Sequence, residues 1–431
     1  MPYVADLHIH SRFARACSRD LNIPNLSKWA KYKGIDLVGT GDCLHPIWQI
    51  ELKKDLKEKG DGTYEFDGTK FIFTTEVACI YSENGRVYRI HIIILLPSLD
   101  SVQKLSEALT KKGINLASDG RPIMGMSSKN LCGLVFGVEP KALIIPAHIW
   151  TPWFSLYGAN SGYNKIADCF GEFTGQIYAV ETGLSSEPAM NWRIGDLDNK
   201  SIVSFSDLHS LPRMGREVTI FGGGITFKGL CEALKGQNII GTIEFFPEEG
   251  KYHYSGHRNC NIVYGPEELK EKGNPSTSSG QWICPVCKRP LTIGVMQRVE
   301  ELATREIKDL RLTVEGGITK SDAFPDRPGF RMLVQLEEII AEAFSTGVAS
   351  QKVKNEYIKL VTTVDPELKL LTKTSLDLIA MASGDRVAEG IGRVRDGKLK
   401  IEPGYDNTYG VVKIWDGEEE KKAGEEQISL F

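Results

Sequence analysis

The chain has 431 residues, a formal net charge of -4 and an isoelectric point near 6.1. This length allows two or three domains and a sizeable core. The charge excludes a polycationic nucleic-acid binder, so contacts with nucleic acid would have to come from local basic patches. The nine cysteines are scattered with one tight pair, which excludes a disulfide framework.

The N-terminus lacks the charged and apolar segments of a signal peptide. The most apolar run, 90–96, contains His91 and ends at Pro97, so it is too short to span a bilayer. We therefore expect a soluble, cytoplasmic protein without membrane partners.

Residues 1–235 alternate short apolar runs with helical patterns, and helix candidates include 25–33 and 101–112. Buried strands separated by helices predict a parallel α/β sheet or barrel. The predicted strands are 4–9, 37–40, 71–80, 88–96, 143–146, 177–180 and 202–205.

Imidazoles and carboxylates occur at or just after the ends of these runs. His8 and His10 would share one face of a strand because side chains alternate with period two, and Asp207 and His209 repeat this spacing. Imidazole and carboxylate ligands suit divalent metals such as zinc or manganese and leave coordination positions open. This pattern predicts two or three metals that activate water against a phosphate ester. The remaining candidate ligands are Asp42, Glu76, His91 and His148.

Three aromatic residues, Trp150, Trp153 and Phe154, follow His148 directly. They are predicted to line the metal site and to stack on an extruded DNA base. Packing of these rings onto the sheet is the alternative. Several basic residues are candidates for phosphate contacts or for ordinary surface charges: Arg213, Arg216, Lys228, Arg258, Lys288, Arg289, Arg298 and Arg305.

Residues 236–295 contain two half-sites, His257-Arg-Asn-Cys260 and Cys284-Pro-Val-Cys287, separated by a polar loop. This arrangement is typical of a zinc ribbon, so His257, Cys260, Cys284 and Cys287 are predicted to hold one structural zinc. His253 is an alternative fourth ligand. A redox role for the Cys-x-x-Cys pair lacks the βαβ context that such motifs have.

Residues 296–393 have a helical pattern, and 394–415 contain a predicted strand pair. The acidic tail, 416–431, is predicted to be flexible. It ends in Gln427-Ile-Ser-Leu430-Phe431, which resembles the bacterial sliding-clamp motif Gln-Leu-Ser-Leu-Phe. Gln427, Leu430 and Phe431 are therefore predicted to bind a sliding clamp, acting through raised local concentration on DNA.

The segment 1–235 resembles the PHP family of metal-dependent phosphoesterases in its His-x-His, Gly-Asp, Glu, His, Ala-His and Asp-x-His elements. The resemblance implies a distorted (β/α)7 barrel that holds up to three divalent ions (Zn, Mg or Mn). The implied ligands are His8, His10, Glu76 and Asp207 for one ion, Glu76, His91 and His148 for a second, and Asp42 and His209 for a third.

The second PHP motif departs from the family pattern, because Gly41-Asp42-Cys43 stands where Thr-Asp-His is expected. Asp42 or His45 could take the role of the missing histidine. Glu76 is suited to bridge two ions, and Asp42, Asp207 or His209 could transfer protons. The predicted catalytic residues are thus Asp42, Glu76, Asp207 and His209.

Over nearly its full length, the chain resembles the endonuclease Q family. The resemblance rests on segments such as Ala5-Asp-Leu-His-Ile-His-Ser11, Glu181-Thr-Gly-Leu-Ser-Ser186, Tyr254-Ser-Gly-His-Arg-Asn-Cys260 and Arg327-Pro-Gly-Phe330. It implies a nucleoid-associated DNA-repair endonuclease. Such enzymes nick DNA 5′ to abasic sites and to the deaminated bases hypoxanthine, uracil and xanthine. Alternatives are a PHP phosphatase acting on a small phosphate ester, and a non-catalytic DNA-binding adaptor that recruits a clamp.

Overall fold

A computed structural model of the chain describes residues 1–272, 274–275 and 281–415. The predicted clamp motif, 427–431, lies outside these residues. Within them, no helix is long and apolar enough to cross a membrane.

The strands are β1 Tyr3–Asp6, β2 Leu37–Gly39, β3 Lys57–Glu58, β4 Tyr64–Phe66, β5 Thr69–Glu83, β6 Arg86–Leu96, β7 Leu143–Pro146, β8 Ala179–Glu181, β9 Ser201–Val203, β10 Val218–Phe221, β11 Ile239–Glu244, β12 Ser255–His257, β13 Ile262–Tyr264, β14 Asn274–Pro275, β15 Trp282–Ile283, β16 Leu312–Glu315, β17 Ile318–Ser321, β18 Gly329–Met332, β19 Lys400–Glu402 and β20 Val411–Lys413.

The helices are α1 Ile23–Lys33, α2 Pro46–Asp55, α3 Leu99–Lys111, α4 Ser128–Val138, α5 Ile166–Phe170, α6 Pro188–Trp192, α7 Phe227–Lys235, α8 Pro266–Lys272, α9 Val295–Leu302, α10 Leu336–Ala343, α11 Gln351–Thr363, α12 Glu367–Thr372, α13 Leu376–Ser383 and α14 Asp385–Arg395.

Twelve strands form one mixed sheet, so the mixed α/β class is confirmed but the prediction of a parallel sheet is wrong. The β1–β2 and β2–β5 pairs are parallel, whereas β5–β6, β6–β7 and β1–β10 are antiparallel. The reason lies partly in the turn Asn84-Gly85, where both residues have positive φ (50° and 76°). An Asn-Gly pair of this kind joins adjacent antiparallel strands, so β5 and β6 form a hairpin.

Two further differences concern the predicted barrel and the predicted helical region. Strands β8 and β9 pair with each other in a separate sheet, so the closed (β/α)7 barrel stays a prediction. Residues 296–393 contain strands β16 to β18 as well as helices, and β18 pairs with β11 in the main sheet. The β19–β20 pair is antiparallel.

Alternate side chains of the strands enter two apolar clusters. Ile92 and Ile94 of β6 join a large cluster with residues of the surrounding helices. Ile93 and Leu95 join a second cluster, which draws mainly on other strands, including Ile72 of β5. Both faces of the central strands are therefore buried, as expected for a sheet covered on each side.

Helix α1 connects the first half of the chain to the helical region. Asn22 caps the helix by accepting from the amide of Asn25, and Gly34 ends it at φ 82°. The last helical residue, Lys33, is fully buried, and its Nζ lies 2.5 Å from Glu367 Oε2. Glu367 also accepts from the Tyr357 hydroxyl at 2.7 Å, so its charge has several partners.

Breaking this buried ion pair should destabilise the fold. We expect Lys33→Met to lower the free energy of unfolding by roughly 3–5 kcal/mol, because Glu367 would keep a buried charge without its cation. Chemical denaturation followed by circular dichroism measures this. Lys31→Met is the matched control, since Lys31 is on the same helix in a surface ion pair and should cost at most about 1 kcal/mol. Equal effects of the two substitutions would contradict the role of the buried pair.

Candidate metal centre

The carboxylate of Glu76 lies at the centre of two groups of potential metal ligands. Glu76 Oε2 faces His10 Nε2 at 3.3 Å and His8 Nε2 at 3.7 Å. The other oxygen, Oε1, lies 2.6 Å from His91 Nδ1 and 3.1 Å from His148 Nε2. One carboxylate can therefore serve both groups, one oxygen to each. Within the described residues, the two groups are His8, His10, Glu76 and Asp207, and Glu76, His91 and His148.

The sheet explains why these residues meet. Glu76 is opposite Ile93 in the β5–β6 ladder, which places His91 diagonally across from it on the same face. His8, His148 and Asp207 come from the segments that follow β1, β7 and β9. The prediction that ligands follow strand ends holds for these three, whereas Glu76 and His91 lie inside the long hairpin.

Several buried polar atoms of these groups lack hydrogen-bond partners, which fits a site for cations. His8 Nε2, His10 Nε2 and Asp207 Oδ1 are inaccessible to solvent and make no hydrogen bond within the described residues. Asp207 Oδ1 lies only 3.2 Å from His10 Nε2 and 3.6 Å from His8 Nε2. Since buried polar groups normally have partners, this donor set fits a divalent ion that accepts imidazole nitrogen and carboxylate oxygen.

The backbone at three candidate ligands has positive φ, which is uncommon for residues other than glycine. Asp42 has φ 46°, His148 has φ 31° and Asp207 has φ 44°. Such conformations cost of the order of 1–3 kcal/mol each and occur preferentially at functional sites. The strain supports a functional role for the three segments that carry these residues.

Two residues of the site were not predicted as site residues. Glu181, the last residue of β8, accepts from His8 Nδ1 at 2.9 Å and from the His148 amide at 2.8 Å. It orients the His8 imidazole, as outer carboxylates commonly do for metal-ligating histidines, and it holds the backbone of His148. Arg121 Nη1 donates to Glu76 Oε2 at 3.1 Å. The alternation of strands and helices gave no signal for Arg121, which lies in a turn.

Asp42 and His209 lie beside the two groups without joining them. Asp42 Oδ1 accepts from His10 Nδ1 at 3.0 Å, and Oδ2 accepts from the amide and hydroxyl of Ser11 at 2.6 and 2.7 Å. The His209 ring lies 4.8 Å from that of His10, and its Nδ1 donates to the Asp207 carbonyl at 2.8 Å. His45, the alternative to Asp42, stacks on Phe13.

The third group of potential ligands is His257, Cys260, Cys284 and Cys287, and His253 is not part of it. The Cys287 thiol lies 3.7 Å from His257 Nδ1. Burial would raise the pKa of Cys284, but the backbone N–H groups of Cys287 and Val286 help to lower it below its ordinary value. These amides make the thiolate easier to form, and a thiolate is the form that binds zinc.

The three aromatic residues predicted to contact DNA have different surroundings in the structure. The prediction for Trp150 is wrong, because this side chain is 1% exposed and donates from Nε1 to Asn191 Oδ1 at 2.8 Å. Phe154 lies at the metal centre, with its ring 4.8 Å from that of His91. Trp153 is 37% exposed and makes an edge contact with Tyr252.

Four of the eight basic residues considered for phosphate contacts instead bind other groups of the protein. Arg213 pairs with Glu338, and Arg216 donates to the carbonyls of Ser206 and Asp207. Arg298 donates to the Tyr157 carbonyl, and Arg305 pairs with Asp198. The exposed members of the set are Lys228, Arg258, Lys288 and Arg289.

Two solved structures are similar to the chain over almost its whole length. The lesion-specific endonuclease PfuEndoQ from Pyrococcus furiosus has 32% sequence identity and a TM-score of 0.80, with 96% of this chain and 95% of that chain covered. The chain belongs to the endonuclease Q family. A crystal structure of Endonuclease Q with a 27-mer duplex substrate, with an abasic lesion at the active site, has the same identity and TM-score and covers 96% of this chain and 97% of that chain.

Two proteins are also similar to the chain in sequence. The uncharacterized protein YqxK of Bacillus subtilis is 28% identical over 433 residues, covering 95% of this chain and 98% of that protein. The uncharacterized protein MJ0043 of Methanocaldococcus jannaschii is 36% identical over 273 residues, which cover 62% of this chain and 31% of that protein. Residues 335–398, with helices α10 to α14, match the family described as the MJ0043 C-terminal domain.

The charges around Glu76 predict how metal binding at this centre depends on pH. Burial alone would lower the pKa of His8, but the carboxylates of Glu181, Asp207 and Glu76 raise it well above its ordinary value. Protons therefore compete with a cation for this nitrogen. We expect Mn²⁺ to bind more tightly as the pH rises from 6 to 8, by up to about tenfold per pH unit for each proton displaced.

Calorimetric titration of protein freed of metal at the Glu76 centre, in two buffers with different ionisation enthalpies, measures both the affinity and the protons released. Glu76→Ala is the control and should abolish manganese binding, because both groups lose their shared ligand. An affinity for Mn²⁺ that stays constant between pH 6 and 8 would contradict the proton competition.

Proposed function

We propose that the chain is a metal-dependent DNA endonuclease of the repair type. It nicks duplex DNA on the 5′ side of abasic sites and of the deaminated bases hypoxanthine, uracil and xanthine. The observation that carries this proposal is the pair of ligand groups sharing Glu76 in a chain so similar to endonucleases that act on lesions. Because a relative has been solved with an abasic lesion at its active site, we infer that the substrate of this chain is DNA that contains a lesion.

The proposed metals are zinc, magnesium or manganese ions in the two groups. When bound, divalent ions would supply a water nucleophile at neutral pH and would stabilise the charge that builds on the phosphate and the leaving 3′-oxygen. Glu76 would bridge the two groups, and Asp207 and the four imidazoles would complete them. Glu181 would keep His8 in the tautomer that presents Nε2 to the metal, and it would hold the backbone of His148 in place.

His209 is the best-placed residue for proton transfer. Its Nδ1 is engaged by the Asp207 carbonyl, which leaves Nε2 to exchange a proton. The side chain is one-third exposed, so a proton can pass to solvent. Asp42 has both oxygens engaged by His10 and Ser11, and therefore orients His10.

A cavity of about 330 Å³ beside the metal centre would receive the extruded nucleotide. It is lined by Trp153, Phe154, Tyr252 and His253, among others. Its volume lies at the lower end of the range for small-molecule sites, and its aromatic walls suit a base that stacks. Extrusion costs least for mispaired or missing bases, which would contribute to lesion selectivity.

One structural zinc ion on His257, Cys260, Cys284 and Cys287 would stabilise the zinc-binding region. Within its described residues, that region has only a small apolar cluster of its own, around Leu269, Cys284 and Leu291. A metal would therefore supply much of its folding free energy.

An incision assay tests the proposed function. Labelled duplex DNA with a single abasic site, uracil or hypoxanthine should be nicked on the 5′ side in Mg²⁺ or Mn²⁺, leaving a 3′-hydroxyl that a polymerase extends. Glu76→Ala and Asp207→Ala should each lower the single-turnover rate by roughly three orders of magnitude or more while DNA binding stays measurable.

Glu244→Gln is the matched control, because Glu244 is equally buried but bonds to Ser204 and Thr182 and not to a candidate ligand. Its rate should stay within a few fold of the unmodified protein. Phosphatase activity on small esters without nicking would favour a different phosphoesterase, and a gel shift without either product would indicate an adaptor.

We also propose that the C-terminal residues Gln427, Leu430 and Phe431 bind a sliding clamp. Deletion of 427–431 should abolish binding to an immobilised clamp, because the apolar side chains of the motif fill its pocket. Incision of a short oligonucleotide should not change. Lys421→Ala, in the same tail, is the control and should bind as before. Undiminished clamp binding by the deletion variant would refute this assignment.

A further inference from the structure

Arg121 is a cationic residue of the candidate metal centre to which the proposed function gives no role. The neighbouring carboxylate of Asp42 uses both oxygens for His10 and Ser11.

The guanidinium group of Arg121 lies at the Glu76 carboxylate. Arg121 donates from Nη1 to Glu76 Oε2 at 3.1 Å, the oxygen that faces His8 and His10. Asp207 is a second carboxylate whose charge acts on Arg121. Among the described residues, the Arg121 side chain has no other hydrogen-bond partner, and it is 27% exposed. Most of its five N–H groups are therefore not engaged by the described residues.

The turn that carries Arg121 is fixed to the metal centre by its backbone. Ala78, two residues after Glu76, donates its amide to the Pro122 carbonyl at 3.0 Å and accepts from the Met124 amide at 2.8 Å. Gly120 packs so closely against Asp42 that a Cβ atom would overlap the carboxylate. Asp119 accepts from the Arg121 amide at 3.1 Å. The guanidinium is thus held in place before any ligand arrives.

We propose that Arg121 binds a non-bridging oxygen of the scissile phosphate. A fixed guanidinium can hold Glu76 with one N–H and a phosphate oxygen with others, because its donors form a rigid fork. It would stabilise the charge of the transition state. This inference rests on the proposed function.

Binding of inorganic phosphate tests this role independently of DNA cleavage. In manganese-loaded protein, Arg121→Ala should weaken phosphate binding at least tenfold, measured by calorimetry. Arg121→Lys should weaken it about threefold or more, because an ammonium group contacts the phosphate as a point charge. The metal content per chain, measured by plasma mass spectrometry, should be the same in all variants.

Arg15→Ala is the matched control, since Arg15 pairs with Asp119 of the same turn but is 81% exposed and does not contact Glu76. It should bind phosphate within twofold of the unmodified protein. On abasic DNA, Arg121→Ala should lower the single-turnover rate by about 10²–10³-fold, and added guanidinium ion should restore part of it.

Two results would overturn the assignment. Unchanged phosphate binding by Arg121→Ala would show that the guanidinium does not contact the substrate phosphate. Loss of metal from this variant would show that Arg121 only holds the ligand group together. If the unmodified protein does not nick DNA, the proposed function fails, but the phosphate titration still decides the role of Arg121.

Discussion

The buried carboxylate of Glu76 is the constraint on which the centre depends. A carboxylate with no solvent contact is unstable unless cationic or hydrogen-bonding partners surround it. Burial alone would raise the pKa of Glu76, but the surrounding histidines, His91 and His8 foremost, hold it well below its ordinary value. The segments after β1, β7 and β9 must therefore converge on the middle of β5. This requirement links strands that are far apart in the sequence.

The convergence of these segments requires an unfavourable backbone conformation at His148. His148 adopts φ 31° so that its amide can reach Glu181, and this approach is possible because residue 183 is glycine. A Cβ atom on Gly183, itself at φ 59°, would overlap the His148 side chain. Gly183 thus leaves room for the strained conformation, and Glu181 holds the backbone of His148 in it. The free energy of the packed sheet offsets this strain. The candidate ligands are thereby held in position before a metal binds.

The sequence is informative where side-chain chemistry and periodicity coincide. His8 and His10, with the spacing of a strand, and the Cys-x-x-Cys pair could be identified as candidate ligands from residue type alone. The antiparallel hairpin could also have been predicted, because Asn84-Gly85 is a strong turn signal. Glu181 had a signal, because it directly follows the predicted strand 177–180, but its partner His8 lies 173 residues away. Arg121 could not be predicted, since its partner lies 45 residues away and no predicted strand precedes it. Burial of Trp150 likewise depends on its contact with Asn191, which adjacency to His148 does not reveal.

The C-terminal strand pair contacts a segment that lies far from it in the sequence. Gly404, between β19 and β20, accepts from the Tyr254 amide at 3.0 Å and donates to the Glu248 carbonyl at 2.7 Å. Asp406 accepts from the Arg258 amide at 2.7 Å. The C-terminal strand pair therefore fixes the segment 247–258.

Part of that segment forms one wall of the 330 Å³ cavity, and Trp153 and Phe154, which follow β7, form the other. The two walls come from separate segments of the sequence, and the contacts of the β19–β20 turn position one of these segments, so they help to set the width of the cavity. The candidate metal ligands and the proposed base site therefore depend on different parts of the fold: the sheet places the ligands, and the C-terminal strand pair positions the far wall. Under the proposed function, substitutions in the turn would alter which bases enter while leaving the contacts of Glu76 in place.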